Sequence, residues 1–446
     1  MNHQSSLQKW SSHVSMLVSI AGAAVGIGSL WQLAFMVGQF GGGFFLLSYV
    51  VLSIVLGIPL FAAEFLLGKR GRSNIVSLFQ SAAPQYGWIG NMSLLSCIFS
   101  LSYYSVVAGW GLHFFLRSCF FSVSKATPNA LMYLQSSSSM SVMGFLLFLW
   151  ITAAIVQKGV HKGIERCSKF CFPLLFLFLI ILFLYALASP GAKEAAYFLF
   201  WPRWTPELTH NSSVVFVTAL GLALFTLSLG QGQIATYGSY AEKEVNVPRL
   251  SFLIGAINLF VALISGFSIY ALLFSHHLPL SDSLFVLLPQ VFAETPGGMF
   301  YSLVFFALFS FAAITSSISM MEVVVLYGEK YFRITRVRST LIVVLIVMTV
   351  GIPCSLSDTL FVSWKNLYGI SIFDTLVALV ARWTLPLVSL AVSIIVGWWI
   401  PQTDLYKHFS LPGSRWNCLF KPWRFLIRYV VTPIIICLVA HSIVIP

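Results

Sequence analysis

The chain is predicted to be an all-α polytopic membrane protein with about eleven transmembrane helices, organised as two repeats around a site where two helices break. Three observations predict this. Apolar residues make up 58% of the 446 positions and charged residues only 9%, too few charges to clothe a soluble surface. Apolar runs of roughly 20 residues, enough to cross a bilayer, recur along the chain. Two of those runs are interrupted by clustered glycines, at Ala21-Gly22-Ala23-Ala24-Val25-Gly26-Ile27-Gly28-Ser29 and at Phe225-Thr226-Leu227-Ser228-Leu229-Gly230-Gln231-Gly232-Gln233. Loosened backbone is tolerated inside a bilayer only where it is buried in protein or lines a cavity. A pair of such breaks five helices apart points to a transporter whose site lies at the breaks.

The runs place spans near 13–37, 43–67, 90–120, 140–157, 168–188, 213–237, 250–275, 299–327, 339–354, 370–400 and 425–444. The tenth carries Arg382 and Pro386, so a tilt or kink is expected there. Segment 276–298 has mixed polarity and reads as a loop with a short helix; a lid and a simple linker both fit. Ala21 to Ala24 resembles a signal cleavage site, but a basic leader is nearly absent and the apolar run continues past Phe35.

The net charge of +12 is topological rather than a nucleic-acid signature. Basic residues fall in alternate loops: Lys69, Arg70 and Arg72; Lys158, Lys162, Arg166 and Lys169; Lys243 and Arg249; Lys330, Arg333, Arg336 and Arg338; Lys407, Arg415, Lys421, Arg424 and Arg428. The intervening loops hold only Lys125, Lys193, Arg203 and Lys365. This asymmetry places the N-terminus in the cytoplasm. The seven cysteines form no CxxC pair, which supports neither a zinc site nor a disulfide framework.

At the first break, Gly22, Gly26 and Gly28 remove Cβ cover, so carbonyls and amides can face inward. Freed carbonyls suit a hard monovalent cation, and freed amides at a half-helix start suit a carboxylate. Close helix packing is a competing reason for these glycines. Thr226, Ser228, Gln231 and Gln233 at the second break weigh against it, since packing needs no polar groups. Ala312, Thr315 and Ser316 share one helix face at spacing i, i+3, i+4 and supply further oxygens. Charges within the spans are few: Glu64, Asp374, Arg382 and Glu322. Each costs at least ~2.5–3.5 kcal/mol to insert and needs a partner; amides at a break are a candidate partner for Glu64. No Ser/His/Asp grouping, HExxH or phosphate loop is present, which leaves an enzyme reading without support.

The ordered segments Trp10, Ala21-Gly-Ala-Ala-Val-Gly-Ile-Gly28, Gly41-Gly42-Gly43, Gly57-Ile58-Pro59-Leu60, Ala63-Glu64-Phe65, Ser102 to Trp110, Lys162-Gly163-Ile164-Glu165-Arg166, Phe225 to Gly230 and Thr315-Ser316-Ser317-Ile318 resemble the neurotransmitter:sodium symporter family. The likeness runs over roughly 10–400. This family is itself a standard instance of the broken-helix architecture, so the agreement is not independent support. The resemblance implies a LeuT-type fold with 5+5 inverted repeats: a cytoplasmic segment 1–12, a first repeat 13–188, a second repeat 213–400 and a peripheral helix 425–444. It implies sodium-coupled amino-acid uptake across the inner (plasma) membrane by alternating access.

Carried over by position, the resemblance implies one sodium site from Gly22, Val25, Ala312, Thr315 and Ser316. A second would use Ala24, Ser29, Thr226 and Asn258, but the family usually has Asn where this chain has Ser29, which weakens that site. Each sodium moved inward is worth ~2.3 kcal/mol per 100 mV, about fortyfold in concentration ratio at ~1.4 kcal/mol per decade. The implied substrate pocket comprises Ala23, Ala24, Gly26, Ile27, Gly28, Ser100, Tyr104, Phe225, Thr226, Ser228, Gln231, Ser316 and Met320, with Tyr104 donating to the substrate carboxylate. Monoamine-transporting relatives carry Asp at the position of Gly26, so the implied substrate is an amino acid. The outer gate departs from the family: Asp374 matches, but Gln32 replaces the usual Arg, with Arg382 two turns beyond Asp374. Trp10, Tyr240 and Glu322 fit inner-gate positions. Tyr49 and Thr226 persist from the chloride site of animal relatives, but Leu222 and Ala262 cannot bind chloride, and none is expected. Two alternatives stay open: a non-transporting amino-acid sensor of the same fold, and a transporter coupled to a single sodium or to protons.

Overall fold

The computed structural model describes residues 8–82, 84–120, 137–202, 206–278, 284–365 and 369–444. Lys125, Arg203 and the first seven residues lie outside them. The described secondary structure is helical throughout. Among the described residues, nine helices are long and apolar enough to cross a membrane: Gly43–Gly71, Pro84–Phe120, Ser138–Val156, Val160–Leu187, Val247–Ser275, Gly298–Tyr331, Arg336–Ser355, Ile372–Trp399 and Arg415–Ser442. One bent pair among the described residues makes a tenth, and a further interrupted pair of helices stands where the sixth span is expected. The first is His13–Ala24 plus Gly28–Gln39, bent by 47°; the sixth is Pro206–Thr226 plus Gln233–Ser239.

Burial grades the spans by position. The most apolar window of the third span is 78% buried and that of the eighth 83%, against 28% for the fifth and 33% for the eleventh. A helix apolar all round but buried on one side has its other side in lipid, so the third and eighth spans form the centre and the fifth and eleventh the rim. Among the described residues the third and eighth also make the most extensive pairing. The first and sixth spans are held against this central pair, which sets both breaks in the interior.

The tenth span stays continuous across Arg382 and Pro386. It widens to π geometry over Leu379–Thr384, and Pro386 falls in the first turn of the α-helical stretch Leu385–Ile394. A wide turn absorbs the hydrogen bond that proline cannot make. Segment 276–298 contains a helix, Leu284–Glu294; Pro279 and Asp282 lie outside the described residues. The Phe285 ring packs on Trp31, Trp110 and Phe114, so this helix covers the ends of the first and third spans. Three short helices, Ile75–Ala82, Ala192–Phe200 and Gln402–Phe409, sit between spans; they are too short to give an apolar run.

Candidate ion and substrate site

The first half-helix ends at Ala24, and Val25 (φ −96°, ψ 89°) leaves helical geometry. The Val25 amide still reaches Ala21 O at 2.8 Å. Among the described residues, no backbone amide returns to the carbonyls of Gly22, Ala23, Ala24 or Val25. Side chains from two other spans approach instead. Ser316 Oγ donates to Ala23 O at 3.1 Å and reaches Gly22 O at 3.5 Å. Ser228 Oγ donates to Ala23 O at 2.9 Å. Thr315 stands against Gly22, where an added Cβ would lie 3.2 Å from Thr315 Cβ, and its hydroxyl donates to Ala312 O at 3.1 Å. Gly22, Ala312, Thr315 and Ser316 therefore come together, and Val25 is fully buried at the same break.

Gly26 lies against the third and eighth spans: a Cβ there would lie 2.5 Å from Ser316 Oγ and 3.0 Å from Tyr104 OH, so it could enter only if the Ser316 hydroxyl moved. Tyr104 OH accepts the Ile27 amide at 3.2 Å, which leaves the phenol hydrogen available to donate. Gly28 packs under Phe225, whose ring atoms would be 2.8 Å from a Cβ.

In the sixth span the helix stops at Thr226 because the next turn runs left-handed. Ser228 has φ 57°, and Gly230 and Gly232 both have φ 75°, cheap only for the glycines. The Gly230 amide, released by this turn, donates to Glu64 Oε2 at 3.1 Å. Glu64 is buried, and its Oε1 has no partner among the described residues. Beyond Gly230 a relay of neutral groups crosses three spans. Gln231 Nε2 donates to Ser100 Oγ at 2.8 Å, Gln233 bonds Gln231, and Ser319 bonds Gln233. Met320, next along the eighth span, is buried. Ser319 and the part played by Gln233 were missed from sequence, because a serine in an apolar helix usually bonds its own backbone.

The positions of the second implied sodium site form a different arrangement. Ser29 Oγ donates to Asn258 Oδ1 at 2.6 Å, and Asn258 Nδ2 reaches Tyr49 OH at 3.4 Å. Tyr49 OH and Thr226 Oγ1 are 2.9 Å apart. Ser265 Oγ donates to Ser29 O at 3.1 Å. Ala24 is fully buried but makes no described bond to this chain of groups.

The two ends of the bundle differ. At the N-terminal face Trp10 meets Tyr237 and Tyr240 edge-on, with centroids 5.2 and 5.9 Å apart, and its Nε1 donates to Tyr237 O at 3.1 Å. Tyr240 OH donates to Glu322 at 2.5 Å. Arg336 pairs with Glu322 and, at 3.0 Å, with Glu329. Ser11 donates its amide to Glu165 at 2.8 Å and its hydroxyl to the same carboxylate. Sequence reading missed Arg336 and Glu165: in a loop rich in basic residues, a cation that pairs inward looks like one that only sets orientation.

At the opposite face a cavity of about 400 Å³ lies between Gln32, Phe225, Asp374, Ala381, Arg382 and Leu438. Asp374 accepts from Ser371 Oγ at 2.7 Å. Among the described residues it bonds neither Gln32 nor Arg382, and those two side chains make no hydrogen bond. Nearby, burial and then the Asp374 charge push the Asp358 carboxyl above its usual range, with Lys365 acting against them. The molecule is thus packed shut at its N-terminal face and hollow at the other, down to Phe225.

The sodium:neurotransmitter symporter family model matches residues 7–133 and 131–446. A sodium-dependent transporter of Bacillus subtilis (strain 168), YhdH, is 33% identical over 97% of this chain and 96% of its own length. A sodium-dependent transporter of Haemophilus influenzae is 30% identical over 98% of both. The crystal structure of MhsT in complex with L-phenylalanine superposes with a TM-score of 0.91 at 30% identity, covering 98% of this chain and 100% of MhsT. The chain belongs to the sodium:neurotransmitter symporter family, whose members are multi-pass, sodium-dependent secondary transporters rather than enzymes.

Proposed function

We propose that the protein takes up an amino acid together with sodium by alternating access across the plasma (inner) membrane, with its N-terminus in the cytoplasm. The observation that carries this reading is the run of carbonyls from Gly22 to Val25 that no described amide satisfies, with Gly22 O and Ala23 O within reach of Ser316 Oγ and Thr315 packed against Gly22. Buried carbonyls that have lost their helical amides are costly where no other donor replaces them, and a sodium ion held by Gly22, Val25, Ala312, Thr315 and Ser316 offsets that cost with oxygen ligands alone.

The amino acid sits beside this ion. Tyr104 and the Gly28 amide receive its carboxylate, and carbonyls of the two breaks receive its ammonium. The residue at position 26 supports this choice: the counter-ion a simple amine requires is missing there, and a Cβ would displace the Ser316 hydroxyl. Ala23, Ala24, Phe225, Thr226, Ser228, Gln231, Ser316 and Met320 complete the pocket.

One sodium carries most of the coupling. Ser29 and Asn258 spend their groups on each other and on Tyr49, which supports an unused second site. No chloride is required, since Leu222 and Ala262 are apolar. Residues 13–188 and 213–400 rock against each other, and 425–444 stays peripheral. The closed N-terminal face, with Trp10, Tyr240 and Glu322 as inner gate, and the hollow before Gln32 and Asp374 correspond to an outward-facing state.

The test is uptake and counterflow of labelled amino acids in proteoliposomes, after a thermal-shift screen of the twenty amino acids in sodium and in potassium. Accumulation driven by an inward sodium gradient, absent in potassium, is expected. Binding without counterflow would convert the reading into that of a sensor.

A further inference from the structure

The relay Ser100–Gln231–Gln233–Ser319 has a consequence for which amino acid fits, given the amino-acid symport proposed above. All four side chains are buried, and the relay joins the third, sixth and eighth spans. Ser100 lies one turn before Tyr104 on the same face of the third span, so the relay lies one helical turn from the phenol assigned to the substrate carboxylate.

A carboxamide has two N–H groups and one carbonyl oxygen. In the observed arrangement Gln231 spends one N–H on Ser100, and Gln233 spends one N–H on Gln231. Turning both carboxamides over reverses the direction of the relay, yet each still keeps one N–H outside it. No described group receives those hydrogens. Buried donors without acceptors are costly, and a substrate oxygen is the group that relieves them. No described Lys or Arg bonds any of the four side chains, so a carboxylate side chain would arrive without a counter-charge.

We infer that the substrate is a neutral amino acid with an oxygen in its side chain, such as a hydroxyl or carboxamide, and that Gln231, backed by Ser100, is the specificity-determining group. Phe225 and Met320 hold the aliphatic part of that side chain.

Isosteric pairs test this, because shape is then constant and only the oxygen differs: L-threonine against L-valine, and L-asparagine against L-leucine. A site built to hydrogen-bond its ligand rejects the analogue lacking the group, whereas an apolar pocket barely separates isosteres. In competition against sodium-driven uptake by the full-length protein, threonine and asparagine are expected to beat valine and leucine by about tenfold or more, with L-aspartate and L-phenylalanine weaker still. Gln231→Leu should erase or invert that order. Should this variant fail to fold, Ser100→Ala, which removes one oxygen without adding bulk, should narrow the threonine–valine ratio to about threefold or less. Valine and leucine equal to or better than their isosteres, in a protein that transports, would overturn the inference and leave amino-acid symport standing. Absence of exchange for every amino acid would instead overturn the symport reading, and this inference with it.

Discussion

Two oxygen clusters flank the first break, and they differ in the ratio of acceptors to hydrogens. On the side of the eighth span, the carbonyls of Gly22 and Ala23 lack amides, and the hydroxyls of Ser228 and Ser316 are the described donors that reach them. The Thr315 hydrogen goes to its own helix. On the side of the seventh span, the hydroxyls of Ser29, Tyr49 and Thr226 and the Asn258 amide supply at least as many hydrogens as there are side-chain oxygens among them, and they are already linked. A cation rewards surplus lone pairs. It must pull apart a network whose acceptors are occupied, at about 0.5–1.5 kcal/mol per bond. One residue drives the contrast: at position 29, a serine hydroxyl reaches Asn258 and ties it up.

The sharpest way to break this comparison is to disable each cluster in turn. Thr315→Ala with Ser316→Ala should raise the half-saturating sodium concentration for uptake about 10- to 100-fold, in line with ~1.5–3 kcal/mol for a group bonded to a charge. An unchanged sodium titration would rule out the favoured cluster as the ion site. Tyr104→Phe comes next: it should weaken amino-acid binding about tenfold, the loss of one donor to a carboxylate, while sodium binding measured without substrate stays as it was. The smallest expected effect is that of Ser29→Ala, which opens the occupied cluster but offers no ligand. It should shift the sodium titration by less than about threefold, since only neutral hydrogen bonds are lost.

A different contrast concerns closure. At the N-terminal face Arg336 neutralises Glu322 and Glu329. Arg336→Gln leaves two carboxylates facing each other and should destabilise that closed face by about 3–5 kcal/mol, read as a lowered thermal midpoint in detergent and faster labelling of the half-buried Cys167 by a soluble maleimide.

The breaks were legible in the sequence because glycines clustered inside a membrane-length apolar run weaken the helix where the bilayer most strongly demands one. The first break and the burial of Glu64 against a freed amide follow from that signal, whereas the meeting of Gly22 with Thr315 and Ser316 was implied by the family resemblance. The partners of Glu322 were not legible, because Arg336 lies among residues whose charge already had a reason to be there. The three short helices between spans escaped for want of a long apolar run. The relay through Gln233 and Ser319 escaped because periodicity reports which face a residue occupies, and hydrogen bonds between three helices depend on how those helices are rotated against one another.

Central to all of this is one cluster that holds a cation beside a neighbour already filled by protein. The ratio of labelled sodium to labelled amino acid entering proteoliposomes, measured in the same vesicles at fixed potential, tests that arrangement most directly. One sodium ion per amino acid is predicted; a ratio of two would contradict it.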